Sequence, residues 1–595
     1  MGYILCINLF LHYCFMATFA MTAKNITTDQ SALFQFKAHI TSDPYGVLAY
    51  NWSISNPICS WVGISCGARH ERVTALNLSF MDLGGNISPH LGNLSFLVNL
   101  DLSYNNFHGH LPNELGQLRR LRVFSVGNNR ISGGIPGFIG LLSKLQNLQL
   151  EFNNFSGTIP DALYNVTTLE ALWSYDNKIQ GSISPKIAKL TRLKIFDMAN
   201  NFLSGSIPWS SIYNSSSLQT FYLDGNSLSG SLPDDLCNCL PKLEWLFLHL
   251  NRLFGQLPRS LGNRSEANIY SFARNKFTGL IPQNIGNSSK ITGLAFSGNN
   301  LEGDIPQGIG KLKNLRILSI AYNNLAGKIP EELGNLQNLQ SLHLSFNSLS
   351  GVIPVSIFNV STIINISLVG NNLSGYLPST IGQGVPNLKI LFIGLNELTG
   401  TIPTSITNAS KLTLLDLDRN SFYGLVPNTF GNLKYLKLLN LGSNNFTTES
   451  PSAKWSFLSS LTNCRKLKIL LLNQNPLYGV IPLSIGNLSA NLEEFDASNC
   501  KIRGSIPTEV GNLHSLITLD LSENDLNGFI PTSMGNLRNL QGFNKFNSSI
   551  PPSLWTLQYI LQETFPPPLG AFKLLKLYLW QIIDLKVPSP THLGH

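Results

Sequence analysis

A spacing of 24 or 25 residues governs this chain. Aligned on Asn in the pattern L-x-L-x-x-N, the positions fall at Asn105, Asn129, Asn153, Asn177, Asn201, Asn226 and Asn251, and continue to Asn444, Asn475 and Asn524. Met81 and Cys500 fill the same slot in two further turns, which gives nineteen repeats between about Val73 and Asn539. At 595 residues the chain is too long for one ordinary core, and a period of this length means a solenoid of stacked coils instead.

Each part of the unit has a physical task. In "LRILSIAYN", Leu318 and Ile320 alternate with small or polar residues, the pattern of a strand with one buried face, so stacked coils share one parallel sheet. Asn323 turns inward, where its amide must find backbone partners in its own and adjacent coils. Left without them it would cost about 1–3 kcal/mol, so the column implies a hydrogen-bond ladder. Leu325 returns to the core, Gly327 permits a tight turn, and Ile329-Pro330 gives an extended segment that cannot continue a helix.

The composition agrees: 12% charged residues, 43% hydrophobic, and a formal net charge of +8 whose Lys and Arg are scattered. Scattered basic residues give a surface field and solubility, and no nucleic-acid footprint. Residues 3–20, "YILCINLFLHYCFMATFA", read as a secretory signal with cleavage near Ala20 or Ala23, although no Lys or Arg precedes the apolar run. The mature chain then meets an oxidising compartment, where Cys59 and Cys66 in "CSWVGISC" are expected to bridge; Cys237, Cys239, Cys464 and Cys500 stay unassigned. Asn-x-Ser/Thr occurs seventeen times, and Asn51, Asn93, Asn165, Asn263, Asn408 and Asn487 are candidate glycosylation sites.

The L-x-G-x-I-P element closely resembles the plant-type leucine-rich repeat, and with it the ectodomain of plant receptor-like kinases, over roughly residues 29–540. The resemblance implies an α/β solenoid: a superhelix with a concave parallel β-sheet and an N-terminal helical cap. The expected divisions are a signal at 1–23, a cap at 24–70, repeats at 71–541 and a broken repeat with an irregular tail at 542–595. In the cap, "DQSALFQFKAHI" is expected to place Leu33, Phe36 and Ile40 on one helical face. A 31-residue turn after Asn444 resembles the long repeat of the subgroup that includes bacterial flagellin and elongation-factor receptors.

Residues between the buried strand positions face the concave side. Most are small, such as Ser125, Ser271, Ala295, Ser319 and Ser367, but Trp173, Tyr175, Tyr222, Trp245, Phe247 and His249 group on neighbouring strands. Exposed aromatics of this kind suit a peptide or glycan ligand, because their rings supply contact area at small entropic cost; packing on strand neighbours or shelter beneath a glycan is the other reading. Asp416, Asp418, Glu494, Asp496, Asp520 and Glu523 form an acidic strip, expected to be a solvated charged face, at the end where the family commonly meets a co-receptor.

No H-R-D, D-F-G or phosphate-covering glycine loop is present, so the chain is not expected to be an enzyme. His residues are scattered and no Cys/His spacing suits zinc, so neither metal nor cofactor is expected. Between Leu540 and Asn544 a coil loses four residues, and no paired-Cys cap, membrane span or kinase pattern follows. The sequence therefore predicts a secreted or cell-surface recognition module of a receptor truncated before membrane and kinase, sensing a peptide or microbial pattern in defence. A secreted inhibitor of cell-wall-degrading enzymes and a non-functional fragment are the alternatives.

Overall fold

The computed structural model describes residues 26–541 apart from 264–265 and 451–452. The expected signal, the broken repeat and the tail lie outside the described residues. The chain divides into two units: one runs to Pro233 and takes in Cys239–Leu253, the other holds Asp234–Asn238 and continues from Phe254.

In the first unit, eight three- to five-residue strands from Val73–Asn77 to Trp245–Phe247 pair in parallel, each with the strand of the next coil. In the second, eleven strands from Ile269–Ser271 to Thr518–Asp520 do the same. Register is one coil per strand: Ile317 pairs with Ser341, Leu318 with Leu342, Ser319 with His343. Each unit is thus a plant-type leucine-rich-repeat solenoid, its core filled by the strand Leu residues and the Leu, Ile and Pro-flanking positions of the return segment.

The Asn column forms the expected ladder. Asn323 Nδ2 donates to the carbonyls of Phe296 at 3.0 Å, Ile320 at 3.1 Å and Ala321 at 3.2 Å, while its Oδ1 accepts the Leu301 N–H at 3.0 Å. Partners come from its own and the preceding coil, so every amide staples two turns. Where Cys500 replaces Asn, its thiol points to the equivalent carbonyls, Leu472 at 3.2 Å and Ser498 at 3.4 Å. The thiol supplies a weak donor but no oxygen for an N–H, and the Leu477 N–H turns to the Asn475 carbonyl instead.

A second parallel sheet, absent from the sequence reading, runs along the return segments, for example Asn154–Thr158 beside Arg130–Gly134 and Lys178–Gly181. Its glycine column needs the left-handed backbone: Gly327 has φ +72°, and an added Cβ would meet Asp304 Oδ1. The residue before the ladder Asn is left-handed too, even where it is Tyr322, at φ 54°, or Leu395, at φ 54°. For such side chains that costs about 1–2 kcal/mol, which the ladder and sheet bonds on both sides offset.

The N-terminal cap closes both sheet edges. Helix Ile26–Ala38 buries Leu33 and Phe36. Ile40 does not join that face: the helix ends two residues earlier, and Ile40 opens a short strand, Ile40–Ser42, that pairs antiparallel with Gly84–Asn86. Bonding the exposed edge of the second sheet takes precedence over extending the helix. Ile64–Cys66 similarly pairs antiparallel with Val73–Asn77, the first strand of the main sheet, and the Cys59–Cys66 disulfide, with Cα atoms 5.6 Å apart, ties its end down. Beneath it Asp29 and Arg72 form a two-point ion pair, Nη2 to Oδ1 at 2.6 Å and Nε to Oδ2 at 2.8 Å, with Asp29 Oδ2 also accepting the Val73 N–H at 3.0 Å.

Candidate functional site

Strand register in the first unit decides which side chains become neighbours. Across one row run Gln149, Trp173, Asp197, Tyr222 and Phe247, each paired with the next. Two residues further along each coil, Glu151, Tyr175, Ala199, Asp224 and His249 occupy the matching positions. Strands lie about 4.8 Å apart, so Asp197 stands one spacing from Trp173 on one side and Tyr222 on the other.

Trp245, two residues before Phe247 and paired with Thr220, points to the same side, so all six sequence candidates lie on one face. Trp173, Tyr175, Tyr222, Trp245 and His249 are partly exposed. Phe247 is not the exposed ring expected: it is 6% exposed, packed edge-on against Tyr222 with centroids 4.6 Å apart and against His249 at 6.0 Å. Its neighbours on both rows are large, so the ring supports the patch from below. The small positions are not exposed either; Ser125, Ser271, Ala295, Ser319 and Ser367 are all buried.

The carboxylates interleaved with these rings were missed, although reading the same two sequence rows for charge would have found them. Asp197 is buried, with Oδ1 accepting the Ala199 N–H at 3.1 Å. Burial, then the charges of Asp224, Glu151 and Asp176, pushes its carboxyl well above the usual carboxylate range. Burial raises Glu151 to about 7, with Asp101 adding repulsion, and raises Asp224 to about 7, with Asp176 adding to it. Glu151 fills the space over side-chain-free Gly127, yet its Oε2 is buried without a hydrogen-bond partner. Asp224 Oδ2 lies 3.5 Å from His249 Nε2.

The acidic strip of the second unit is built differently, and the expectation of a solvated face fails for half of it. Asp416, Glu494 and Asp496 are buried. Asp496 Oδ1 accepts the Ser498 N–H at 2.9 Å and hydroxyl at 2.7 Å, and Asp520 Oδ1 accepts the Ser522 N–H at 2.9 Å and hydroxyl at 2.6 Å. These D-x-S turns fasten the strand ends locally. Asp416 Oδ1 accepts the Asp418 N–H at 3.1 Å.

Five of the six glycosylation candidates, Asn93, Asn165, Asn263, Asn408 and Asn487, end the short 3-10 turn of their coils, away from the strand rows. The sixth, Asn51, is half-buried and its Oδ1 accepts the Val62 N–H at 2.5 Å. Among the described residues no three His, Cys, Asp or Glu side chains are placed to hold a metal ion, and no helix is long and apolar enough to cross a membrane.

Family models for the leucine rich repeat N-terminal domain match residues 26–67, for a leucine-rich repeat region residues 68–267, and for single leucine rich repeats residues 314–336, 338–360, 411–433, 491–513 and 515–537. The fold is similar to that of the Arabidopsis receptor kinase HAESA, solved with the peptide hormone IDA and the co-receptor SERK1: 32% identity, TM-score 0.77, covering 90% of this chain and 92% of that one. It is similar also to the plant peptide hormone receptor RGFR1, solved with RGF2, at 30% identity and TM-score 0.72, covering 82% of this chain and 83% of that one. Among curated proteins, the LRR receptor-like serine/threonine-protein kinase EFR of Arabidopsis thaliana is 41% identical over 104 residues, 18% of this chain and 10% of EFR. The matched stretch is thus about a tenth of that relative's length.

Proposed function

Because this chain belongs to the leucine-rich-repeat ectodomain family of plant receptor kinases, we propose that it is an extracellular recognition module that binds a peptide across the aromatic rows of its first unit. The observation that carries the reading is the clustering of half-exposed Trp173, Tyr175, Tyr222 and Trp245 within four successive coils on one face. Rings held rigidly by a sheet lose little freedom on binding and so turn contact area into affinity. HAESA and RGFR1, each solved with a peptide ligand, support the ligand class. EFR and its receptor-kinase relatives support a place at the cell surface or outside it and a role in signalling; microbial-pattern sensing is the finer form of this proposal.

A co-receptor contact on the C-terminal repeats rests on the analogy with the HAESA–SERK1 complex. Glycans on Asn93, Asn165, Asn263, Asn408 and Asn487 would all leave the strand rows clear. The test is display selection of linear peptides on the secreted protein, followed by Trp245→Ala and Tyr175→Ala. Loss of binding by about ten-fold or more in either variant supports the patch. Selected peptides that bind both variants as tightly as the parent would move the site elsewhere.

A further inference from the structure

The rings account for contact area; the carboxylates between them call for a charge. We propose that Asp197, between Trp173 and Tyr222 on one row, with Glu151 and Asp224, on either side of Tyr175 and Ala199 on the next, seats a basic group of the peptide, an Arg or Lys side chain or its free amino terminus. This rests on the peptide-binding reading above and names the chemistry that one part of that site selects.

Three observations converge on it. Glu151 is only 9% exposed, and its Oε2 is buried with no partner. A carboxylate oxygen in that position has lost water and gained nothing, a cost that an incoming N–H donor removes. Next, the charged neighbours that act on Glu151, Asp197 and Asp224 are themselves carboxylates, Asp101 and Asp176 among them, apart from His249 beside Asp224. Among the described residues these three acids have no Lys or Arg partner, although the chain carries a net charge of +8 overall. Finally, the acids are spread along strand rows and no three of them are placed to hold a metal ion. A peptide cation on a flexible side chain needs no full ligand shell, and the flanking Tyr and Trp faces attract such a cation further.

The C-terminal acidic strip lacks this combination, since Asp496 and Asp520 already engage the serines two residues on.

The test uses peptides selected from a displayed random dodecapeptide library on the secreted wild-type chain. Each binder that depends on Trp245 or Tyr175 is resynthesised with Arg replaced by citrulline, Lys by acetyl-lysine, or the amino terminus acetylated. Neutralising one of these groups is expected to weaken binding about ten-fold or more, and the arm that responds says whether guanidinium, ammonium or terminal amine is seated. The isosteric variants Glu151→Gln, Asp197→Asn and Asp224→Asn should bind the charged and neutral peptides alike; the amide introduced by Asp197→Asn keeps an acceptor for the Ala199 N–H. Charged and neutral peptides are compared on wild-type protein, so a carboxylate variant that fails to fold leaves that comparison intact. Binders that depend on Trp245 or Tyr175 and tolerate all three neutralisations overturn the cation seat and leave peptide recognition standing. Failure to select any peptide that depends on Trp245 or Tyr175 overturns both.

Discussion

Two groups of carboxylates line strand rows in this protein, and they have different fates. In the second unit Asp496 and Asp520 serve the chain itself, each holding the N–H and hydroxyl of a serine two residues on. In the first unit Asp197 has a local N–H only, and Glu151 keeps a buried oxygen with no partner. A run of acidic residues in a solenoid therefore says little until the lone pairs are traced. The Asp29–Arg72 pair of the cap adds a reference point, a buried carboxylate fully matched by a guanidinium and an N–H.

The comparison breaks most visibly at that reference. Asp29→Ala leaves Arg72 buried and unmatched, and should cost about 3–5 kcal/mol in chemical denaturation of the first unit. A loss below about 1 kcal/mol, the range of exposed pairs, would mean that the pair is not the anchor of the cap. Next comes acid dependence. Glu151 and Asp224 titrate near 7 in the folded protein and near their ordinary values of 4.5 and 3.8 when unfolded. Between those limits the folded state binds more protons at these two sites, so their contribution to stability is fully present at low pH and falls as pH rises toward 7. The slope is on the order of 1.4 kcal/mol per pH unit for each group fully in that window. Melting at pH 5 and pH 7.5 should show the first unit more stable in acid, and Glu151→Gln should flatten the trend; an unchanged slope would remove Glu151 from the account.

A smaller effect separates the D-x-S turns from the patch. Asp520→Ala should cost about 1–2 kcal/mol, while Asp520→Asn, which keeps an acceptor, should cost clearly less. Equal losses would show that charge, not the turn, is what Asp520 provides. Smallest is the ladder exception: Cys500→Ala removes a weak donor and should cost about 0.5–1.5 kcal/mol, whereas Cys500→Asn restores a side-chain oxygen that is expected to regain the Leu477 N–H as partner. Hydrogen exchange at Leu477 reads that change directly.

Much of the scaffold was legible because its causes are local and repeated. Asn323 and its equivalents must satisfy a buried amide, and Gly327 and its equivalents must turn left-handed, so the same residue recurs at each place. Exceptions to repetition were not legible. Ile40 continues the apolar spacing of a helix but is drawn into a strand by the open edge at Gly84–Asn86. Phe247 has the sequence position of an exposed ring, yet Tyr222 and His249 cover it. The second sheet escaped notice because its short strands center on glycines, residues that read as turns.

By itself the sequence determined the coil: which residues point inward, where the backbone reverses, and that each turn bonds to the next. Those properties depend on near neighbours and on a period that the chain repeats. Tertiary structure decided what the free face offers, since Glu151, Asp197 and Tyr222 become neighbours only through strand register across coils about 24 residues apart. Burial by that stacking, not residue type, determines which carboxylate is satisfied and which still lacks a partner.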